Sequence, residues 1–118
     1  MLSYAVRYYH CDGGIVITAS HNPAQYNGYK VYGPDGCQAG PEMADAILNY
    51  INRIGVFDAC LAQEKDAHIT VIPQSVIDDY IDTITSLRVT EDPEAVKALK
   101  VVYTPLNGTG RMPVAKMM

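Results

Sequence analysis

The stretch GIVITASHNPAQYNGYKVY, residues 14–32, decides how this chain folds. Apolar residues follow one another without alternation in its first part, which predicts a strand over residues 15–18 that is covered on both faces. A polar turn comes next, and the pair Asn27–Gly28 is a strong turn signal ahead of the β-rich run at residues 29–32. We therefore predict that the second run returns antiparallel to the first strand.

Helical periodicity follows this hairpin. Apolar residues at spacings of three and four predict an amphipathic helix from Pro41 to Gly55 and another from Pro73 to Leu87. Shorter elements are also predicted: a helix over residues 2–9, an extended segment over 69–72, a helix from Asp92 to Leu99, and a strand over 100–104. Together these elements predict an α/β fold with a mixed sheet flanked by amphipathic helices.

Composition limits the class of protein. Of the 118 residues, 48% are hydrophobic, and nine basic against thirteen acidic side chains give a formal net charge of -4. This balance does not favour a nucleic-acid partner or a membrane surface, and no segment approaches the roughly 20 apolar residues of a membrane-spanning helix. Cys11, Cys37 and Cys60 are odd in number and lack metal-ligand spacing, so we expect free thiols and a cytoplasmic protein.

Two further patterns have structural interpretations. Asp78, Asp79 and Asp82 crowd together opposite the apolar stripe of the second amphipathic helix, so we interpret them as a solvated face and not as a metal site. The turn NGTG at residues 107–110 has backbone amides that could cradle a phosphate. We interpret this turn as structural too, because we expect no helix after it.

Chemistry is indicated most strongly by the hexapeptide TASHNP at residues 18–23. It follows the predicted strand directly, so the Ser20 hydroxyl and the His21 imidazole are expected at a sheet edge that a ligand can reach. Lys30 lies ten positions beyond Ser20. Taken singly, the hexapeptide would be a structural Asx turn and the lysine merely exposed. The sequence does not indicate a serine hydrolase. It has no GxSxG elbow, and a serine and a histidine that are adjacent in sequence do not form the catalytic dyad of such enzymes.

The blocks TASHNP and YNGYK, the latter at residues 26–30, resemble the active-site serine loop of the phosphohexomutases, the family of phosphoglucomutases and phosphomannomutases. The resemblance extends to LSYAVR at 2–7 and PLNGTG at 105–110, and so runs over essentially the whole chain. It implies that residues 1–98 are the C-terminal part of domain I of a four-domain protein. Residues 99–118 would then be the first strand and turn of domain II. The expected fold is an incomplete phosphohexomutase domain I.

The resemblance also implies roles for four residues. Ser20 matches the phosphoserine that donates and recovers the phosphoryl group, and that binds the metal ion through its phosphate. Lys30 matches a lysine implicated in acid/base chemistry, and His21 matches a histidine expected to orient the serine or handle its proton. Asn22 is expected to stabilise the loop and to take part in binding the substrate or its phosphate.

The implied function is phosphoryl transfer between C1 and C6 of a hexose phosphate through a bisphosphorylated sugar. Mg²⁺ and hexose 1,6-bisphosphate are the implied cofactors. The other metal ligands of the family are expected outside this chain, so we expect the chain alone to be inactive. The alternative is a non-catalytic α/β fragment with weak phosphate affinity that associates with itself through uncovered strand edges.

Overall fold

The computed structural model describes four parts of the chain, residues 1–55, 58, 68–89 and 92–118. They form two compact units, Met1–Val71 and Ile72–Met118. Cys11 and Cys37 are exposed free thiols, as predicted, and Cys60 lies outside the described residues. None of the helices described is long and apolar enough to cross a bilayer.

The first unit is built on the predicted hairpin. Its elements are α1 (Leu2–Tyr8), β1 (Gly14–Ile17), β2 (Tyr29–Tyr32) and α2 (Pro41–Ile51). β1 and β2 pair antiparallel, in a register that sets Gly14 opposite Tyr32 and Ile17 opposite Tyr29. The antiparallel return is therefore confirmed, and so is the α/β class. A mixed sheet is not observed, because the described residues form this two-stranded antiparallel sheet alone.

The helix α1 covers one face of the hairpin. A Cβ atom at Gly14 would lie 2.6 Å from Val6 Cγ2 and 3.0 Å from Leu2 Cδ1, so helix and strand approach each other closely. Val6 is buried, whereas Ile15 and Ile17, which alternate onto the other face of β1, are 64% and 72% exposed. The prediction that both faces of this strand are covered is wrong for the described residues, because none of them covers these two isoleucines.

Proline and glycine set the start of α2. Pro41 lies in its first turn, and the preceding Gly40 is extended, with ψ 173°. The helix ends at Ile51, before the predicted end at Gly55. Its apolar side chains are not buried, since Leu48 is 48% and Ile51 is 42% exposed. The helix is confirmed, and its packing against the sheet stays a prediction.

The described part of the second unit is helical. Its elements are α3 (Gln74–Ser86), α4 (Pro93–Lys97) and α5 (Arg111–Met117). α3 packs on α5, and its buried side chains are Val76 and Ile81. α3 begins after Pro73, as predicted. Asp92 is confirmed as the N-cap of α4, because its carboxylate accepts hydrogen bonds of 3.0 and 3.1 Å from two amides of the first turn.

Two predicted extended segments are not strands. Residues 69–72 and 100–104 have no strand pairing, and the described residues offer them no partner. Val102 is 96% exposed. A strand needs a neighbour to satisfy its amides and carbonyls, so β-branched sequence is not sufficient. The expectation that no helix follows the NGTG turn is also wrong, because α5 begins at Arg111.

An ion pair between Asp78 of α3 and Lys116 of α5 joins these two helices. The Asp78 carboxylate accepts hydrogen bonds from Lys116 Nζ and, at 3.1 Å, from Gln74 Nε2. These bonds, the one from Lys116 foremost, lower the pKa of Asp78 below its ordinary value. Asp79 and Asp82 are exposed. The predicted solvated face is thus confirmed for these two residues, whereas Asp78 is half-buried and paired.

We expect Lys116→Met to raise the pKa of Asp78 towards that of an unpaired carboxyl group, as measured by carboxyl NMR titration. A lowered pKa stabilises the folded state while the carboxylate is charged. The contribution of the pair is therefore present above the pKa of unfolded Asp78 and is lost as the pH falls through the folded value. Lys97→Met is the matched control, because Lys97 pairs with Glu94 within α4. An unchanged pKa of Asp78 in Lys116→Met would show that Lys116 is not the main cause of the lowered value.

Candidate functional site

The polar hexapeptide lies in the loop between β1 and β2. A hydrogen bond of 2.8 Å from the Thr18 amide to the Gly28 carbonyl closes the base of the loop. Inside the loop, the Asn22 amide donates to the Ala19 carbonyl at 2.9 Å. Residues 20–30 are exposed throughout. The loop is therefore internally bonded and open to a ligand.

Ser20 has a left-handed backbone, with φ 54°. This region costs an L-residue other than glycine about 1–2 kcal/mol, and residues held in it cluster at functional sites. The Ser20 amide donates to Thr18 Oγ1 at 2.9 Å. Thr18 was predicted only as the end of the strand, but β1 ends at Ile17 and Thr18 belongs to the loop. A hydroxyl residue two positions before Ser20 was the sequence signal for this bond.

The predicted neighbours Ser20 and His21 are in contact. Ser20 Oγ lies 3.2 Å from His21 Nδ1, within reach of a hydrogen bond. An unprotonated Nδ1 accepts a hydrogen bond from the Ser20 hydroxyl, whereas a protonated Nδ1 donates one to Oγ. Both residues are exposed. The arrangement suits a serine oxygen that gains and loses a group while the imidazole handles its proton.

Lys30 lies on β2, opposite Val16 of β1. Its ammonium group makes no hydrogen bond or ion pair with any residue that the structure describes, so no polar contact joins it to Ser20 or His21. Lys30 lines a pocket of about 220 Å³ between β2 and α2. The described residues thus bring together Ser20 and His21 but not Lys30. Asn22 contributes its backbone amide to the loop.

Two further observations concern ligand binding outside the serine loop. Within the described ranges, no group of three or more His, Cys, Asp or Glu side chains could hold a metal ion. In the NGTG turn, the Gly108 amide donates to the Pro105 carbonyl at 2.7 Å. This bond uses an amide that a phosphate would need, and it supports the structural interpretation of the turn although α5 follows it.

The chain is similar to known phosphoglucomutases. Residues 1–56 match the phosphoglucomutase/phosphomannomutase family through its alpha/beta/alpha domain I. The chain is 45% identical over 113 residues to a phosphoglucomutase of Staphylococcus haemolyticus, 41% over 112 residues to one of Staphylococcus epidermidis, and 40% over 111 residues to one of Staphylococcus aureus. Each match covers 92% of this chain and 20% of the relative, so the chain spans about a fifth of the length of these proteins. These matches support the assignment of the chain to the phosphohexomutase family.

Proposed function

We propose that this chain carries the phosphoryl-transfer serine of a phosphohexomutase, which moves a phosphoryl group between C1 and C6 of a hexose phosphate. The observation that carries the proposal is the contact between Ser20 Oγ and His21 Nδ1, 3.2 Å apart in an exposed and strained loop. Similarity to proteins named phosphoglucomutase supports the substrate class. A cytoplasmic location, which the free thiols Cys11 and Cys37 favour, is part of the proposal.

Phosphoryl transfer at Ser20 would proceed in two halves. In the first, a hydroxyl oxygen of the hexose phosphate attacks the phosphorus of phosphorylated Ser20. The new P–O bond forms as the P–Oγ bond breaks, and the sugar hydroxyl proton passes to the serine oxygen or a nearby base, leaving hexose 1,6-bisphosphate. In the second, Ser20 Oγ attacks the other phosphate of the bisphosphate while His21 accepts the serine proton. The released sugar oxygen is protonated, and the product is the isomeric hexose phosphate.

Lys30 is the proposed cation beside the transferring group. A compact ammonium charge stabilises negative charge on phosphoryl oxygens, and it can also take part in proton transfer. Its lack of polar partners among the described residues leaves it available to a ligand. Because no polar contact joins it to Ser20, the proposal requires the phosphorylated substrate to connect them. Asn22 is proposed to stabilise the loop and to bind the substrate phosphate.

The proposed cofactors are Mg²⁺ and hexose 1,6-bisphosphate. Mg²⁺ prefers oxygen ligands, and the described residues would offer it the phosphoryl oxygens on Ser20. Bound there, the ion would neutralise charge on the transferring group. The described residues contain no cluster of metal-binding side chains, so we propose that the remaining ligands come from other segments of a longer protein. In that protein, residues 1–98 would belong to domain I and residues 99–118 to domain II.

A polypeptide of these 118 residues alone is proposed not to turn over hexose phosphate. A coupled assay that follows glucose 1-phosphate conversion to glucose 6-phosphate, with Mg²⁺ and the bisphosphate present, tests this point directly. The expected result is no turnover above the rate without protein. Sustained turnover that disappears in Ser20→Ala would overturn it.

A segment exchange tests the family function separately. The chain replaces the matching segment of the Staphylococcus haemolyticus phosphoglucomutase, to which it is 45% identical over 113 residues. We expect this hybrid enzyme to convert glucose 1-phosphate and to carry a phosphoryl group on Ser20, detected by peptide mass analysis. A hybrid enzyme that folds but shows neither property would overturn the proposed function.

Self-association without catalysis is a second proposed property of the chain alone. Ile15 and Ile17 on β1 are 64% and 72% exposed. Among the described strands, β1 pairs with β2 alone, so its other edge has unpaired amides and carbonyls. An apolar strand with a free edge is a template for pairing with a second copy. Weak phosphate affinity at the serine loop would accompany this state.

We expect Ile17→Lys to shift the chain towards the monomer, because a charged side chain on an exposed strand opposes association. Size-exclusion chromatography with light scattering over a concentration series measures the change. Val89→Lys is the matched control, since Val89 is 92% exposed and lies outside the strands. If the unsubstituted chain is monomeric at every concentration, self-association is refuted.

A further inference from the structure

The Ser20 amide is hydrogen-bonded to a side chain that has no role in the proposed chemistry, that of Thr18. Three described residues other than glycine have positive φ: His10, Ser20 and Leu106. The His10 amide donates to a backbone carbonyl, that of Arg7. Of the three, Ser20 is the one whose amide donates to a side-chain oxygen, Thr18 Oγ1, at 2.9 Å. The left-handed backbone at Ser20 therefore coincides with a hydrogen bond to a side-chain hydroxyl group.

Thr18 is itself held by Gly28, the residue that precedes β2. Its amide donates to the Gly28 carbonyl at 2.8 Å, one step beyond the last pair of the hairpin, Ile17 and Tyr29. A Cβ atom at Gly28 would lie 3.2 Å from the Thr18 carbonyl oxygen, so the two backbones are close. Thr18 is half-buried, whereas Ser20 is exposed. An anchored hydroxyl thus holds an exposed and strained residue.

Loss of this acceptor would move the Ser20 hydroxyl. Without the bond to Thr18, the Ser20 backbone relaxes towards the right-handed and extended regions that L-residues prefer. Rotation about φ carries the Ser20 side chain with it and changes the position of Oγ relative to His21. A displacement of about 1 Å in a reacting group is sufficient to lower a rate about a hundredfold.

We infer that Thr18 is a positioning residue of the phosphoryl-transfer site, whose Oγ1 holds Ser20 in the left-handed conformation that presents its hydroxyl to His21. Thr18 acts through Ser20 and does not contact the substrate. The conformational role of Thr18 is inferred from its own hydrogen bonds, whereas its effect on the rate of phosphoryl transfer rests on the proposed function. The two consequences are therefore measured separately.

NMR of the complete 118-residue chain tests the hold on Ser20. A strong nuclear Overhauser effect between the amide and Hα protons of Ser20 reports its positive φ. We expect this signal in the unsubstituted chain and in Thr18→Ser, which keeps the hydroxyl, and its loss in Thr18→Val. Thr83→Val is the matched control, because Thr83 Oγ1 donates to the Asp79 carbonyl in α3 at 2.7 Å. Persistence of the signal in Thr18→Val, or its absence from the unsubstituted chain, would overturn the inference.

Kinetics of the hybrid enzyme test the effect on rate. We expect Thr18→Val to lower kcat about tenfold or more with an unchanged KM for the hexose phosphate, and Thr18→Ser to restore kcat to within about threefold. An unchanged kcat in Thr18→Val would overturn the positioning role and leave the proposed function intact. A hybrid enzyme that is inactive with Thr18 in place would overturn the proposed function, and the NMR signal would still decide whether Thr18 holds Ser20.

Discussion

Replacement of Ser20 by alanine is expected to lower turnover of the hybrid enzyme by at least about a thousandfold. Ser20 Oγ is the proposed atom that carries the phosphoryl group. Alanine removes this oxygen and keeps the Cβ atom. His21 remains in the variant, so the loss is assigned to the oxygen and not to the imidazole. The coupled assay of glucose 1-phosphate conversion measures the rate.

Ser86→Ala is the matched control for this substitution. Ser86 is exposed at the end of α3, and its Oγ donates to the Thr83 carbonyl at 2.7 Å. The control removes a hydrogen-bonded serine hydroxyl outside the serine loop and is expected to leave kcat unchanged. Peptide mass analysis adds a second measurement, because the phosphoryl group should be absent from Ser20→Ala. Turnover above about a tenth of the unsubstituted rate would contradict a nucleophilic role for Ser20.

Gly36→Ala is expected to lower the free energy of unfolding of the first unit by about 2–4 kcal/mol. Gly36 has φ 75°, and a Cβ atom there would lie 2.6 Å from the Ser3 carbonyl oxygen and 2.9 Å from Ser3 Oγ. The added carbon would press against the backbone of α1, which cannot shift without moving the helix. Among the described residues of this unit, Val6 is the one buried hydrophobic side chain, so little stability is in reserve. Urea unfolding followed by circular dichroism measures the loss.

Gly40→Ala is the matched control for Gly36→Ala. Gly40 has φ -72°, and a Cβ atom built there has nothing within 4 Å. Gly40 is the N-cap of α2, where alanine in place of glycine costs at most about 1 kcal/mol. Equal destabilisation by the two substitutions would show that strain at Gly36 is not the cause.

Residues that act on their immediate neighbours made several elements predictable. The pair Asn27–Gly28 indicated the return of the hairpin, and Pro41, Pro73 and Asp92 indicated where helices begin. A proline ring restricts its own φ, and an N-cap side chain bonds to amides two or three residues away. Such effects need no tertiary context. The contact between Ser20 and His21 was predictable for the same reason, because the two residues are adjacent.

Burial and strand pairing were less accessible from sequence. The apolar run at residues 15–17 predicted a strand covered on both faces, yet Ile15 and Ile17 are exposed among the described residues. Residues 100–104 have strand-like composition, but the described residues offer them no partner strand. Apolar and β-branched residues record a preference for burial and pairing, but the partner that satisfies it is a segment distant in sequence.

By itself, the sequence determined the antiparallel hairpin, the place of the serine loop between its strands, and the resemblance to the phosphohexomutases. Only the tertiary structure decided that Thr18, anchored to Gly28 across the hairpin, holds Ser20 in a left-handed conformation. It also decided that one face of β1 is covered by α1 while Ile15 and Ile17 on the other are exposed. Turn and cap preferences act between neighbours along the chain, whereas burial and loop closure depend on which distant segments meet.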